Sequence, residues 1–457
     1  MSELSPIAAA ALCAPLLPAL AFALLGLAML VHRAPSGVVV ARLVTWALAG
    51  SVLATMLVAF SFVTHDDQPI VIAIGSWFRT EGYHFEATLL VDKLSAPMMF
   101  LTASICGLIA RFTSTYLVGE PGEARFYLLL SMFATGMFVL VMAGSLDFLV
   151  AGWELVGMSS MLLIGFFVGS TFPVRNALRT FSIYRACDIG LLVGTVLMHH
   201  YAQTSVFREA LALDDWPKGA PDFTPAAATL TVLCLFWAAC GKSALFPVGN
   251  WLPRAMEGPT PSSAIFYGAL SVHAGAYLML RIYPLIERAP TARVVIFVIG
   301  AITAIASTLI ERAQTDIKSQ LAYAVSTQVG VIFVEIALGF PRIALLHLIG
   351  HALIRTLQLL RAPNIIHDVM MLNASAGPHQ LPRRAFQPLG TAGFARWLYH
   401  LSFSRLHLDA FWDRFLARPL LGLARAIERG EQYYVSLLLR EAPPTPPEPS
   451  AQRKTTP

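Results

Sequence analysis

Two ionisable residues stand where hydrophobic stretches should hold none. Lys242 interrupts the apolar run from Thr229 to Leu245, within Cys240-Gly241-Lys242-Ser243-Ala244-Leu245. Glu154 interrupts another, Phe148 to Val168, within Gly152-Trp153-Glu154-Leu155. An ionisable side chain at membrane depth costs roughly 3 kcal/mol or more and usually marks an ion or proton pathway. A carboxylate and an ammonium on separate membrane segments therefore imply charge movement across a bilayer. An anion beside a desolvated lysine holds its proton on, and withdrawing that anion releases it. The plainer alternative for Lys242 is a snorkelling lysine at a helix end. His347 and His351 form a second group, one turn apart on one helix face. Such a pair relays protons, packs as a polar core, or binds a metal if further ligands exist, and none is evident.

The segments that must carry these residues are apolar almost throughout. Of 457 residues, 56% are hydrophobic and 13% charged, against about 25% charged in soluble domains. Apolar segments of roughly 20 residues without dyad alternation predict an all-α polytopic membrane protein rather than an outer-membrane barrel. The first segment starts near Ile7 behind Glu3 and no basic residue. It lacks the positive region of a cleaved signal and reads as a retained helix. Cys13, Cys106, Cys187, Cys234 and Cys240 all fall in apolar segments and read as small buried hydrophobes. There is no metal, haem or iron–sulfur signature, no GxGxxG after a strand and no Walker loop. No cofactor or metal is expected, and the chain holds no redox or hydrolytic site of its own. The net charge of +5 gathers towards the C-terminus, which suits a membrane surface or a protein partner rather than nucleic acid.

About eleven transmembrane helices are expected, near 7–31, 38–63, 94–112, 126–144, 146–168, 177–198, 226–246, 262–281, 294–310, 319–339 and 341–361. They divide into N-terminal helices (1–63), an alternating extramembrane hairpin (64–93) and a membrane domain (94–361). Residues 201–223 read as a polar loop. After Arg361 follow a Pro- and Gly-containing connector (362–390), amphipathic helices (391–440) and a polar, Pro-rich, disordered tail (441–457). Leu408, Phe411, Trp412, Phe415, Leu416, Leu420 and Leu423 keep helical spacing there, as an interfacial helix or a clasp on a partner. Arg33, Arg111, Arg125, Arg175, Arg179, Arg254, Arg312 and Lys318 mark one set of loops as cytoplasmic. The N-terminus is then outside and the C-terminus inside a plasma membrane. Arg208, Lys218, Arg281 and Arg288 count against this on the opposite side.

Longer motifs carry a family resemblance. Gly241-Lys242-Ser243-Ala244, Trp251-Leu252-Pro253, Ala255-Met256 and Gly258-Pro259-Thr260-Pro261 resemble the antiporter-like subunits of proton-pumping NADH:quinone oxidoreductase (complex I), especially the L subunit or chain 5. So do Val91-Asp92-Lys93-Leu94-Ser95, Gly152-Trp153-Glu154-Leu155-Val156-Gly157, and Gln314-Thr315-Asp316-Ile317-Lys318-Ser319-Gln320-Leu321-Ala322-Tyr323, with His347 and His351 following. The resemblance implies a bundle of inverted five-helix repeats, the second truncated, with broken helices near 247–261 and 350. It implies a pathway in which Glu154 tunes Lys242 and Arg185 with Asp188 modulates the charge. Asp316 and Lys318 are part of that pathway or an interfacial salt bridge.

Four features depart from the family. Tyr267 replaces a usual histidine, with His273 six residues on; Arg355 replaces the central lysine; Glu335 lies in a helix that is typically neutral, where it could balance Arg355; and the helices that usually follow are absent. Arginine does not give up its proton, so Arg355 orders its surroundings and shuttles nothing. These residues suggest a shortened paralogue that passes protons by Glu154, Asp188, Lys242, His273, His347 and His351. Its expected neighbours are membrane lipid and another subunit that does the chemistry: a redox module as in complex I, or a soluble zinc protein as in inorganic-carbon (bicarbonate/CO2) uptake systems. A non-conducting membrane scaffold is the alternative.

Overall fold

The computed structural model describes residues 5–33, 35–64, 68–80, 83–314, 316–376, 392–408, 410, 414 and 418–439. Among them, eleven helices are long and apolar enough to cross a membrane. They are α1 (Pro6–Leu30), α2 (Gly37–Thr64), α3 (Ser95–Tyr116), α4 (Glu123–Met142), α5 (Leu146–Ile164) and α6 (Thr171–Ala202). There follow α7 (Pro225–Lys242), the interrupted α8 (Thr260–Arg281), α9 (Pro290–Ala313), α10 (Ile317–Leu338) and α11 (Pro341–Ala376). The chain divides into two units, residues 1–403 and 404–457, and all eleven helices belong to the first.

Amphipathic logic is inverted, as in a bilayer, where lipid rather than water surrounds the bundle. Leu16, Leu20, Leu24 and Leu27 of α1 are exposed, as are Ile189, Leu192 and Val196 of α6. The centre is α8, in which every residue from Thr260 to Arg281 is buried. A helix apolar on all faces belongs inside, yet this one carries Tyr267, Ser271, His273, Tyr277 and Arg281 into the core. Close approach places α5 against α4: a Cβ on Gly152 would press on the α4 backbone at Gly136 and Leu140.

The break around residues 247–261 is present. α7 stops at Lys242, and short 3-10 turns at Gly249–Trp251 and Pro253–Glu257 lead into α8. Pro247, Pro253, Pro259 and Pro261 remove donors that a continuous helix needs. α8 itself passes through a π-turn at Ala264–Ala269 and a 3-10 turn at Ser271–His273. The break expected near 350 is absent: α11 runs through Gly350 unbroken. A single glycine weakens a helix by about 1 kcal/mol but removes no hydrogen bond. The helix also continues to Ala376, into the stretch whose composition suggested a connector.

The hairpin forms as β1 (Ile70–Thr80) antiparallel to β2 (Tyr83–Val91). It is tied to the bundle through Gly144 N–H donating to Thr88 O (2.8 Å) and Ser145 Oγ donating to Glu86 O (3.2 Å). α12 (Ala392–Phe403) packs Ala395 and Leu398 against Leu309 and Ala313 of α9. In the second unit, α13 (Arg418–Leu439) presents Leu423, Ile427 and Tyr434 at helical spacing, all exposed. Of the apolar positions singled out there, Phe411, Trp412, Phe415 and Leu416 lie outside the described residues, as does 441–457.

Arg281 needs correction as a loop charge. It is fully buried and grips Asp92 with two bonds, NH1 to Oδ2 (2.5 Å) and NH2 to Oδ1 (3.2 Å). It also donates to Tyr277 OH (2.8 Å), which donates to Val141 O (2.5 Å). Asp92 further accepts from the N–H groups of Leu94 and Ser95 at the start of α3. Burial alone would raise its carboxyl, but the Arg281 charge and the hydrogen bonds of Arg281 and Ser95 more than offset this and hold it below the ordinary value. A depressed carboxylate stabilises the fold above its unfolded value, about 3.9, and that stability is lost as pH falls through the folded value. Thermal unfolding in detergent is therefore expected to show a loss of stability below about pH 4. Asp92→Asn, which leaves Arg281 buried without its counter-charge, is expected to lose about 3–5 kcal/mol at neutral pH and to lack that acid limb.

Candidate functional site

Lys242 closes α7 with 1% of its surface exposed. Its Nζ donates to the Trp153 carbonyl (3.1 Å) and lies over two aromatic faces, 4.5 Å from the Tyr184 ring centre and 5.0 Å from that of Trp153. Carbonyl and π-faces suit a desolvated ammonium. Among the described residues no carboxylate is within ion-pair distance of it. This is a held charge inside the bundle, and the snorkelling alternative fails because Nζ reaches no surface.

The carboxylates stand one contact away. Trp153 Nε1 donates to Asp188 Oδ1 (2.6 Å), so one tryptophan touches the lysine by its carbonyl and the aspartate by its ring. Arg185 lies between two acids, with NH2 on Asp188 Oδ2 (2.8 Å) and NH1 on Glu154 Oε2 (2.5 Å). Asp188 is buried, whereas Glu154 and Arg185 are over a third exposed along the α5–α6 seam. Helical spacing explains the assembly: Arg185 and Asp188 are three apart on α6 and share a face. All three groups fall near mid-helix, which is mid-membrane for spans of this length. Gly157 leaves the room that Lys242 occupies, since a Cβ there would come within 2.9 Å of Nζ.

A second cluster lies on α8, α10 and α11. His273 Nε2 meets His351 Nδ1 at 2.9 Å, and Arg355 Nε donates to His351 Nε2 (3.2 Å). Guanidinium only donates, which assigns the protons along the chain. His351 accepts at Nε2 and so donates from Nδ1 to His273, which in turn donates from its own Nδ1 to Ala269 O. The two imidazoles are thereby neutral and point one way. Arg355 also donates to Gln358 Oε1 (2.8 Å) and Ala324 O (3.2 Å). Glu335, proposed from sequence as the counter-charge of Arg355, pairs instead with His347 Nδ1 (2.8 Å), whose Nε2 faces Gln328 Oε1 (3.1 Å). Both ring nitrogens of His347 and of His351 are thus engaged. Among the described residues no group of three His, Cys, Asp or Glu has metal-binding geometry.

Between the clusters lie hydroxyls. Tyr267 OH is 3.2 Å from Ser160 Oγ, and the hydroxyls of Tyr184 and Ser271 are buried nearby without a hydrogen-bond partner among the described residues. Trp251 stacks edge-on between Tyr184 and Tyr267 and donates to Gly241 O (3.0 Å). Asp316 lies apart from both clusters and caps α10 by accepting from Ser319 N–H (2.7 Å), with no ion pair to Lys318 among the described residues. Sequence reading passed over one buried group altogether. Asp147, His199 and Ser205 meet under the hairpin; the signal for it was a carboxylate one residue into a helix and a histidine in the last turn of the next.

Arg185→Gln is expected to lower thermal stability by about 3 kcal/mol, because it strips a buried carboxylate of its partner. Adding Asp188→Asn should recover part of the loss. A double-mutant cycle in detergent is expected to give a coupling of at least about 1 kcal/mol, and additivity would deny the shared contact.

Comparison with known proteins agrees with this architecture. Residues 143–380 match the family described as NADH:quinone oxidoreductase/Mrp antiporter, transmembrane. Residues 77–127 match the N-terminus of complex I chain 5. NADH-ubiquinone oxidoreductase chain 5 of Cryptococcus neoformans var. grubii is 34% identical over 333 residues, 73% of this chain and 49% of that protein. The chloroplastic NAD(P)H-quinone oxidoreductase subunit 5 of Zygnema circumcarinatum is 33% identical over 360 residues, 78% of this chain and 51% of the relative. The chain therefore spans about half the length of the curated relatives it matches. The solved Mrp complex of Dietzia sp. DQ12-45-1b contains a chain with TM-score 0.66 and 25% identity, covering 88% of this chain and 47% of that one.

Proposed function

Since the chain belongs to the NADH:quinone oxidoreductase/Mrp antiporter family of membrane subunits, we propose that it conducts protons through its buried charges on behalf of a partner protein. One observation carries this: Lys242, enclosed and with no direct counter-ion among the described residues, is one residue removed from two carboxylates that share a single arginine. At an effective dielectric of about 20, a unit charge ~6 Å away is worth about 3 kcal/mol, a factor of ~100 in proton occupancy. Arg185 sets how much of that field Lys242 feels. Drawn to Glu154, it leaves Asp188 free to hold the ammonium; drawn to Asp188, it screens it. Protonation of Glu154 releases Arg185 from one side and so reaches Lys242 through two contacts.

The buried hydroxyls of Ser160 and Tyr267, which meet at 3.2 Å, and of Tyr184 and Ser271 are the groups available between Lys242 and the pair His273 and His351. Arg355 keeps that pair neutral and polarised, which fits a relay that passes protons without storing them. His347 with Glu335 lies beyond, on the side of α10 and α11. A scaffold without conduction has no use for this arrangement, whose burial costs free energy at every charge.

From the basic loops we infer a plasma membrane with the hairpin face outside and the opposite face in the cytoplasm. The chemistry lies with the partner, a redox module or a soluble zinc protein of an inorganic-carbon uptake system. Lys242→Ala and Glu154→Gln are each expected to cut proton flux in proteoliposomes at least tenfold with unchanged elution on size exclusion. Wild-type flux in both variants would sink the reading. Mass spectrometry of what co-purifies in mild detergent should yield flavin or iron–sulfur subunits for the first partner, and one large zinc protein for the second.

A further inference from the structure

Asp147, His199 and Ser205 form a buried group that the pathway above does not use. Asp147 lies in the first turn of α5, His199 in the last turn of α6 and Ser205 in the loop after it. His199 Nε2 meets Asp147 Oδ2 at 2.8 Å, and Ser205 Oγ donates to the same oxygen. All three are less than a tenth exposed. The loop folds back over them by Leu146 N–H to Ser205 O (2.9 Å) and Phe207 N–H to Gly144 O (2.9 Å), and β2 covers them through Ser145 and Gly144.

Serine and histidine both bond the aspartate and not each other, which excludes a nucleophile of the Ser–His–Asp kind, where the histidine must hold the serine. Helix-end electrostatics favour an acid at an N-terminus and a histidine at a C-terminus. That benefit is available at the surface, without the desolvation this group bears.

Its position is the informative feature. Asp147 is seven residues before Glu154 on α5, and His199 eleven after Asp188 on α6. These spacings are two and three helical turns, about 10 and 16 Å, and return to the same face of each helix. Buried Thr195 falls on the α6 stripe between them, its hydroxyl donating to Leu191 O and left able to accept. These stripes form a seam along α5 and α6 from the hairpin face to the Glu154–Arg185–Asp188 contacts, its intervening side chains apolar but for Thr195. Among the described residues, the other charged side chains on the covering elements are Glu86 on β2 and Arg208 and Glu209 after the loop, with Glu209 accepting from Thr204 Oγ1 (3.0 Å).

We propose that Asp147, His199 and Ser205 form the port by which protons exchange between the hairpin face and the Glu154–Asp188 cluster, an inference that rests on the proton-conducting reading. A proton leaves water at that face, resides on the Asp147–His199 pair, and passes down the seam to Glu154 or Asp188. Only O–H and N–H bonds change.

The test uses the full chain, with whatever partner co-purifies, in proteoliposomes holding a pH dye. Asp147→Asn and His199→Gln are compared with wild type and with Lys242→Ala. Both port variants should assemble normally and conduct at least tenfold more slowly. Formate added as a small proton carrier should restore much of the flux in Asp147→Asn, above the permeation read in Lys242→Ala vesicles. Wild-type flux in His199→Gln, where Lys242→Ala is silent, overturns the port. So does a loss that formate leaves unchanged, because a merely structural lesion is indifferent to proton supply. If Asp147→Asn fails to assemble, His199→Gln, which keeps a donor to Asp147, decides by its flux and its response to formate. Conduction by Lys242→Ala strikes at the proposed function instead.

Discussion

Arg281 has no exposed surface, so its charge is answered only by what packs round it. Asp92 meets it with both oxygens, and the same carboxylate starts α3. This pair joins the end of the central helix to the base of the hairpin, and through Tyr277 to the end of α4. A bilayer offers no water to replace any of these partners. The hairpin face is therefore fixed by electrostatics, and the lipid-facing helices are packed around a centre already held at one end.

Two further arginines show how differently one residue type works when its surroundings change. Arg185 is half-open and shared by two acids, an arrangement that a small displacement rebalances. Arg355 donates along its own helix to His351 and across to a carbonyl of α10, and thereby sets which nitrogen of each imidazole carries a proton. A lysine in its place, with a mobile point charge, would impose no such direction. One arginine holds the fold, one joins two acids, and one orients a pair of imidazoles.

The interruption of α8 is what brings these parts together. A regular helix would point Tyr267 and His273 according to a fixed 100° step; the π-turn and the 3-10 turn change that step within a few residues. Tyr267 thereby meets Ser160 on α5 while His273 meets His351 on α11. The irregular backbone lies where every residue is enclosed by protein, a setting in which a membrane tolerates it.

Composition and segment length alone determined a helical membrane bundle of about eleven spans, since twenty apolar residues in water have no other stable use. They also exposed Lys242, Glu154 and the histidines, because charge in an apolar run is conspicuous without any fold. Prolines located the break after α7, whereas Gly350 gave no break, because its backbone keeps its donor. Only the tertiary structure decided the pairings: Glu335 with His347 rather than Arg355, Arg281 inside rather than in a loop, and Asp147 with His199 across 52 residues of chain. Pairing depends on which helix faces turn towards one another, and that follows from the packing of all the helices together rather than from the spacing within any one of them.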